Sequence, residues 1–296
     1  MSLKQIRFGI VGLDGHGPVF AEQVNGRSAT VEHTRVSAAM PVSSVMVSRA
    51  VLADNVSRTK ELGVAIVHEP QELVRQVDGV LILHDDGSIH LDLVRLFAPF
   101  GKPLFVDKPL ESSVDRAKEL ARVCRSHNCS VFSASSLRFS IEMQRILNTA
   151  GDDDVCSALT YAPFKHTATM PGWIYYAIHA VEPLFELMGG GCREVRSVES
   201  EFGPLAIGRW ADGRLGFAKA NREGPHDYGM TVWRQADTET TIVEAGRLYP
   251  ELLARIRSFV ATGSPPVAIE QSIEVIAFLS AANESMAADG RPVALA

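Results

Sequence analysis

Residues 6–18 read Ile-Arg-Phe-Gly-Ile-Val-Gly-Leu-Asp-Gly-His-Gly-Pro. The apolar run that ends at Gly12 is typical of a buried strand. Pro18 suits the first helical position, and Gly26 suits the end of a helix of about two turns. The stretch therefore predicts a strand, a glycine-rich turn and a helix, in that order.

The same order of strand and helix recurs along the first half of the chain. Further apolar runs of strand length alternate with helical patterns and lie at residues 35–40, 64–68, 79–83, 103–107 and 129–133. Strands that alternate with helices form a parallel sheet with helices on both faces. The pattern therefore predicts a doubly wound parallel sheet, which is an α/β fold.

The pattern changes after about residue 135. Longer strand-like stretches with turn signals, such as Ala211-Asp-Gly-Arg214, are typical of an antiparallel sheet. Helices are predicted near residues 175–188, 249–261 and 270–288. The length of 296 residues also exceeds the size at which one core usually keeps growing.

We therefore predict two domains. Residues 1–134 would form the parallel-sheet domain, and residues 135–296 would form an α+β domain with a mainly antiparallel open sheet. The open face of that second sheet must be covered. We expect a second copy of the chain to cover it, in a homodimer or a homotetramer.

Composition excludes several classes of protein. Hydrophobic residues at 46% and charged residues at 22% are typical of a globular protein. A net charge of -6 gives no broad attraction to nucleic acid or acidic membranes, and no apolar run approaches the length of a membrane span. The four cysteines do not have the spacing of a zinc site, and a chain of this length does not need disulfides to fold. The first apolar run does not have the features of a signal peptide. We therefore expect a cytoplasmic protein.

The glycine turn lies where dinucleotide-binding folds hold a pyrophosphate, between the first strand and the first helix. It matches the fingerprint G-x-G-x-x-G at Gly12 and Gly17, but Asp14 replaces the second glycine with a bulky, negatively charged side chain. The alternative is a tight turn in which the glycines are needed only for the backbone conformation and bind no ligand. The predicted cofactor contacts in this turn are Gly12, Asp14, Gly15, His16 and Gly17.

The end of the second strand bears on cofactor preference. An acidic residue there would bind the adenine ribose of NAD, but residues 40–44 offer only hydroxyl groups. Ser43, Ser44 or Arg49 could instead accommodate the 2'-phosphate of NADP. Ser43 is a predicted contact, and the sequence favours NADP weakly over NAD.

A polar cluster, His84-Asp-Asp-Gly87, follows the fourth strand, and His90 lies just beyond it. Because open α/β sheets bind ligands at the carboxyl edge, His84, Asp85 and His90 are predicted cofactor contacts. Two histidines and two carboxylates could also hold a metal ion. With no third cluster in the sequence, capping and polar edge roles are favoured and no metal is predicted.

The tripeptide Asp107-Lys108-Pro109 ends the fifth strand at the same carboxyl edge. A lysine held there on rigid backbone can hydrogen-bond, or exchange a proton with, a substrate hydroxyl. Lys108 is therefore a catalytic candidate, and all three residues are predicted beside the cofactor. The alternative is a solvated surface turn.

A second catalytic candidate lies near residue 179. The spacing of Tyr175, His179 and Glu182 predicts that all three side chains share one helix face. Glu182 could fix the tautomer of His179, which could then remove a proton from an alcohol. The alternative is a core histidine with tyrosines that pack around it.

Together these segments resemble the family of two-domain NAD(P)-dependent enzymes that contains glucose-fructose oxidoreductase, inositol dehydrogenase and rhizopine catabolism proteins. The resemblance spans nearly the whole chain and is carried by residues 12–17, 78–90, 101–109, 135–139 and 172–182. It implies a Rossmann-type first domain. It also implies reversible oxidation of a secondary alcohol on a sugar, cyclitol or related polyol.

The resemblance also implies roles for individual residues. Lys108 matches the lysine of the family's Glu-Lys-Pro tripeptide, with Asp107 in place of the glutamate. His179 and Glu182 match the histidine and last acid of Asp-x-Gly-x-His-x-x-Asp, whereas Tyr175 replaces its first aspartate. His179 would be the general base, and Lys108 would donate a hydrogen bond to the reacting oxygen and the cofactor ribose. The candidate substrate contacts are Arg138, Tyr175, Tyr176 and Glu182.

Two other functions remain open. Asp14, the missing ribose acid and the pair Asp85-Asp86 each weaken the case for dinucleotide binding, so the fold could serve a ligand-sensing or scaffold protein. The third possibility is a sugar dehydratase or hydrolase that retains a tightly bound cofactor.

Overall fold

The computed structural model describes residues 5–149 and 155–295. These residues form two compact units. The first unit contains residues 5–111, Asp115–Ser133 and Tyr249–Ile269, and the second contains Ser112–Val114, residues 134–248 and residues 270–295. The division into domains at residues 134 and 135 stays a prediction, and the compact units differ from it mainly by the segment Tyr249–Ile269.

The elements of the first unit up to Ser133 alternate along the chain, and the helix Leu248–Thr262, labelled α8 below, also belongs to this unit from Tyr249 onward. They are β1 (Ile6–Val11), α1 (His16–Asn25), β2 (Thr34–Met40), α2 (Arg49–Glu61), β3 (Ala65–Ile66), α3 (Pro70–Val74), β4 (Gly79–Ile82), α4 (His90–Phe97), β5 (Leu104–Val106), α5 (Val114–Ser126) and β6 (Val131–Ser133). Within the described ranges the strands form one six-stranded sheet in the order β3-β2-β1-β4-β5-β6.

Every strand pairing in this first sheet is parallel. β4 is buried along its whole length, as expected of a strand that is covered on both faces. The strand order reverses between β1 and β4, and doubly wound folds bind ligands at the carboxyl ends of the strands at such a point. The prediction of a doubly wound parallel sheet is confirmed.

The remaining elements follow in the second half of the chain. They are α6 (Ile141–Thr149), β7 (Val155–Pro163), α7 (Ile178–Met188), β8 (Cys192–Val198), β9 (Leu205–Trp210), β10 (Leu215–Asn221), β11 (Gly229–Arg234), β12 (Thr238–Ile242), α8 (Leu248–Thr262), α9 (Ile269–Ala287) and β13 (Val293–Ala294). In the described part of the chain the second sheet has seven strands in the order β12-β11-β7-β10-β9-β8-β13.

This second sheet is mainly antiparallel, as predicted, and among the described strands only the β10–β7 pairing is parallel. Ala211–Arg214 forms the turn that joins β9 to β10. Burial alternates along β10, so one face of the sheet is covered and the other is more exposed. Trp233 and Ile242 are exposed. Self-association through this sheet stays a prediction.

The helix predicted to span residues 175–188 is shorter in the structure. α7 begins at Ile178, so Tyr175 lies outside it. The preceding segment is held in turns by a contact from elsewhere in the chain, because the backbone N–H of Trp173 donates to Asn283 Oδ1 over 2.9 Å. The prediction that Tyr175 shares a helix face with His179 is therefore wrong.

None of the helices in residues 5–149 and 155–295 combines the length and the hydropathy needed to cross a lipid bilayer. The same ranges hold no group of three histidine, cysteine or acidic side chains placed to bind a metal ion. The cytoplasmic location and the absence of a nucleic-acid partner stay predictions.

Candidate active site

The glycine turn connects β1 to α1 at the carboxyl edge of the first sheet. Gly12 has a φ of +93°, and a Cβ there would lie 2.7 Å from the backbone nitrogen of His84, so only glycine fits. Gly15 precedes α1, and a Cβ there would lie 2.9 Å from Asp85 Cβ. α1 has no side-chain cap. The N–H groups of His16 and Gly17, which precede Pro18, can therefore bind an anion such as a pyrophosphate.

Asp14 is turned into the protein. Its side chain is fully buried. Oδ2 accepts a hydrogen bond of 2.6 Å from Ser44 Oγ, and Oδ1 accepts one of 3.2 Å from the backbone N–H of Asp85. His84 Nε2 lies 3.3 Å from Oδ2. The carboxylate therefore ties together the turns that follow β1, β2 and β4, and its bulk and charge do not project from the glycine turn.

We expect the substitution Asp14→Ala to lower the free energy of unfolding by about 2–4 kcal/mol, because it leaves the half-buried Ser44 and Asp85 donors without their buried, charged acceptor. Urea unfolding measures the effect. Asp54→Ala is the control, because Asp54 is an exposed partner of Arg58 at 3.9 Å and its loss should cost less than about 0.5 kcal/mol. Equal stability of Asp14→Ala and the wild type would contradict this role.

His84 and His90 are both buried and both bond the backbone. His84 Nδ1 accepts from the N–H of Asp86 at 3.1 Å, so its proton is on Nε2, which faces the carbonyl of Ser43 at 3.1 Å. The two ring nitrogens of His90 lie 2.9 Å from Pro109 O and 2.8 Å from His84 O. His90 therefore joins the turn after β4 to the turn after β5.

Asp107 and Lys108 follow β5 directly, and both are buried. Asp107 Oδ1 accepts from the backbone N–H of Lys108 at 2.8 Å, and Oδ2 lies 2.6 Å from His16 Nδ1. Burial alone would raise the pKa of the Asp107 carboxyl, but the charge and hydrogen bond of His16, together with Lys108, hold that pKa well below its usual range. Asp107 is therefore ionised.

A second cluster surrounds His179, the second residue of α7. His179 Nδ1 lies 2.8 Å from Ser135 Oγ, and that oxygen also accepts from the backbone N–H of Leu137 at 3.3 Å. The rings of Tyr176 and Tyr228 pack edge-on against the imidazole, with centroids 4.9 and 5.9 Å away. Because the serine oxygen is fixed by the turn it caps, it holds the imidazole in one orientation.

Two aromatic hydroxyls extend this cluster. Tyr176 and Tyr228 join their hydroxyl groups at 2.9 Å, and Lys165 Nζ lies 4.9 Å from the centre of the Tyr176 ring. Tyr175 is half-buried, and its ring centre lies 6.0 Å from that of Tyr176. A polar, aromatic surface of this kind suits the C–H faces and hydroxyl groups of a polyol.

Glu182 and Arg138 bond each other. Arg138 is fully buried, and its guanidinium donates to Glu182, to Glu186 at 2.7 Å and to Gln271 at 2.9 Å. Burial, and secondarily the Glu186 carboxylate, raise the pKa of Glu182 against the attraction of Arg138. The carboxylate of Glu182 is thus hydrogen-bonded to Arg138. The hydrogen bond seen at His179 Nδ1 is instead with Ser135.

The sequence predicted that Asp107 and Lys108 follow the fifth strand, but it did not predict the partners of the side chains described above. The His16–Asp107 and Ser135–His179 pairs join residues that are 91 and 44 positions apart. No local spacing relates such residues. Tyr228 and Lys165 were missed altogether, and no sequence signal identified them.

Comparison with protein-family models gives one match. Residues 6–135 match the model described as an oxidoreductase family with an NAD-binding Rossmann fold. The match covers β1 to β6 and includes the glycine turn and Lys108. A comparison with curated protein sequences finds no significant match.

Solved structures with the same fold include three dehydrogenases. Scyllo-inositol dehydrogenase from Lactobacillus casei, solved with bound NAD(H) and scyllo-inositol, is 16% identical, with a TM-score of 0.81 over 99% of each chain. Myo-inositol 2-dehydrogenase from Lactobacillus plantarum is 15% identical, with a TM-score of 0.81 over 99% of this chain and all of that one.

The third is UDP-N-acetylglucosamine 3-dehydrogenase from Acidithiobacillus ferrooxidans, which is 15% identical, with a TM-score of 0.78 over 97% of this chain and 99% of that chain. At these identities the likeness establishes the fold. The glycine turn, the uncapped start of α1 and the inward Asp14 also suit a dinucleotide. Over residues 6–135, the chain is therefore similar to the oxidoreductase family with the NAD-binding Rossmann fold.

Proposed function

We propose that this protein is an NAD(P)-dependent dehydrogenase that reversibly oxidises a secondary alcohol of a sugar, cyclitol or related polyol. The bound nicotinamide supplies the hydride acceptor and donor. The protein supplies the glycine turn that binds the dinucleotide, the ammonium group of Lys108 and the imidazole of His179.

One observation carries the proposal: Lys108 lies on a turn that is bonded to the glycine turn. Asp107 accepts from the backbone N–H of Lys108 at 2.8 Å and from His16 at 2.6 Å. These two bonds hold the lysine backbone at the carboxyl edge of the first sheet. We infer that Lys108 donates a hydrogen bond to the reacting oxygen and to the cofactor ribose.

The dinucleotide would be held mainly by backbone. Gly12, Gly15 and Gly17 let the turn pack closely against the turn after β4 and against itself, and we infer that the first N–H groups of α1 bind the pyrophosphate. Because His84 and His90 bond backbone groups, we infer that they shape the turns around the cofactor. Ser43, Asp85 and Pro109 stay candidates for direct contact.

At the substrate, His179 is the proposed general base. Its Nδ1 is engaged by Ser135, so the substrate hydroxyl proton passes to Nε2. Tyr175 and Tyr176 are the proposed substrate contacts. Arg138 and Glu182 are buried against each other, and we infer that they hold the Ser136–Phe139 turn against α7 and so position His179.

We further infer that NAD is preferred to NADP, in place of the weak preference for NADP that the sequence suggested. Ser44 Oγ donates to Asp14 and accepts from the N–H of Met46 at 3.0 Å, so its proton is not available to a phosphate. The buried carboxylate of Asp14, to which Ser44 is bonded, would also repel a 2'-phosphate. This repulsion is stronger in the protein interior than in water because the interior is less polar.

We expect NADH to bind more tightly than NADPH by about tenfold or more, which corresponds to about 1.4 kcal/mol. Titration of nicotinamide fluorescence with each dinucleotide measures both affinities. Equal or tighter binding of NADPH would contradict the preference. Absence of binding by either dinucleotide would overturn the dehydrogenase proposal.

A further inference from the structure

The loop that follows β7 carries an ammonium group, that of Lys165, on a fixed backbone. The N–H of Phe164 donates to Asn221 O over 2.6 Å, and the N–H of Thr167 donates to Met170 O over 3.2 Å. The N–H of Met170 donates in turn to Thr167 Oγ1 over 3.1 Å. Lys165 itself is exposed. Its side chain therefore starts from a point of the backbone that hydrogen bonds hold on both sides.

The side chain of Lys165 is directed at the aromatic cluster around His179. Nζ lies over the Tyr176 ring, 4.9 Å from its centre, and that centre lies 4.9 Å from the imidazole centre. The ammonium group is therefore no farther from the imidazole centre than these two distances together. Since a six-membered polyol ring with one substituent has a comparable length, the substituent can meet Lys165 while a hydroxyl on the other side of the ring meets His179.

No carboxylate neutralises this ammonium group in the part of the chain that the structure describes. Lys165 contacts the Tyr176 ring there and forms no ion pair with an acidic side chain. By contrast, Arg222, which lies over the Phe164 ring at 5.2 Å, donates to Glu199 over 2.9 Å. Lys165 is thus available to bind an anion from solution.

The stretch of chain that supplies most of this cluster contains no acidic residue. Residues 155–181, which include Lys165 and His179, hold neither aspartate nor glutamate, although acidic residues outnumber basic ones in the whole chain by 35 to 29. The carboxylate of Asp227 lies close enough to Tyr161 to raise the pKa of its hydroxyl, an effect second to that of burial. A surface built from residues 155–181 therefore does not repel an anionic substituent, and the ammonium group attracts one.

We propose that the substrate is a polyol that carries an anionic substituent, a carboxylate or a phosphate, and that Lys165 binds this substituent while a hydroxyl of the ring lies at His179. The inference rests on the proposed function, because it names the class of substrate for that same site. The anionic group takes no part in the reaction. The alcohol transfers its hydride to NAD⁺ and its hydroxyl proton to His179, and it becomes a ketone.

Steady-state kinetics with matched substrates test the proposal. Each set joins a neutral polyol to the same polyol with an anionic group: glucose with glucuronate and glucose 6-phosphate, galactose with galacturonate, and myo-inositol with myo-inositol 1-phosphate. In every set that is turned over, we expect kcat/KM to be about tenfold or more higher for an anionic member, the contribution of one charge-assisted hydrogen bond. This preference should shrink as salt is added. Comparison of the carboxylates with the phosphates shows which anion Lys165 prefers.

Variants of Lys165 show whether the preference comes from this ammonium group. Lys165→Met should remove most of the preference for the anion, Lys165→Arg should keep most of it because the charge remains, and Lys165→Glu should favour the neutral member. The Kd for NADH should be the same in all three variants as in the wild type. Lys118→Met, which removes an exposed lysine on α5, is the control and should leave the preference unchanged.

The outcomes separate this inference from the proposed function. Turnover of polyols with no preference for the anion, or with a preference that Lys165→Met retains, would overturn the inference alone. Weaker NADH binding in Lys165→Met would also overturn it, because the charge would then act on the cofactor. Binding of NAD⁺ without turnover of any polyol, neutral or anionic, would overturn the proposed function and, with it, this inference.

Discussion

Replacing Lys108 with methionine is expected to lower kcat for polyol oxidation by about 10²–10³-fold, while the Kd for NADH changes by no more than a few-fold. Methionine keeps a long side chain in this 3%-exposed position but removes the ammonium group. The loss falls on kcat because the hydrogen bond to the reacting oxygen strengthens as that oxygen gains negative charge. Steady-state kinetics and NADH titration of the same preparation measure the two quantities.

Lys118→Met is the matched control for this experiment. Lys118 is an exposed residue on α5, and its loss should leave both quantities unchanged. Lys108→Arg separates charge from geometry, because a guanidinium keeps the charge but cannot place it at the same point. A Lys108→Met enzyme that retains the wild-type kcat would remove Lys108 from the mechanism.

The substitution His179→Ala is expected to lower kcat by about 10²–10⁴-fold, the usual contribution of a general base. The affinity for NADH should stay within a few-fold of that of the wild type. Added imidazole should restore part of the lost rate, because a free base can enter the space that the ring leaves. His127→Ala is the control: it removes an exposed histidine on the other unit and should leave kcat and the affinity for NADH unchanged.

The substitution Ser135→Ala tests how much of the rate depends on the orientation of the His179 imidazole, because it leaves the imidazole in place. Ser135 Oγ lies 2.8 Å from His179 Nδ1 and is the group that orients the ring. We expect a smaller loss in kcat than for His179→Ala, together with a change in the acidic limb of the pH–rate profile. An unchanged profile would give Ser135 a purely structural role, and full activity of His179→Ala would contradict the assignment of the base.

The order of the elements in the first unit could be predicted from the sequence because each depends on a local pattern. The apolar run at Gly79–Ile82 is buried throughout, and Ser48 caps α2 by accepting from the N–H of Val51. The positive φ of Gly12 follows from the sharp turn after β1. Because parallel strands bring their carboxyl ends to one edge, the same reasoning placed Lys108 near the glycine turn.

Contacts between distant residues account for what the sequence could not predict. A spacing of four and three residues suggested one helix from Tyr175 to Glu182, but Asn283 holds the backbone at Trp173 and the helix begins later. The spacing suggested Glu182 as the partner of His179, yet Arg138 binds that carboxylate from 44 residues away. In both cases a contact between residues far apart in the sequence determined the result, and the periodicity of a sequence carries no information about such contacts.

Asp14 shows how burial changes the meaning of a residue. In the sequence it reads as a negative charge in a phosphate-binding turn. In the structure its carboxylate accepts from Ser44 at 2.6 Å and is removed from solvent. The departure from the glycine fingerprint is therefore compatible with dinucleotide binding.

We propose that this chain transfers hydride between a polyol and a nicotinamide dinucleotide. The most direct test of this proposal is the absorbance of reduced nicotinamide after NAD⁺ and a panel of inositols and sugars are mixed with the protein. We expect at least one polyol to give sustained reduction, and we expect Lys108→Met and His179→Ala largely to abolish it. Saturable binding of NAD⁺ and a polyol without reduction, or reduction that survives in both variants, would contradict the proposed hydride transfer.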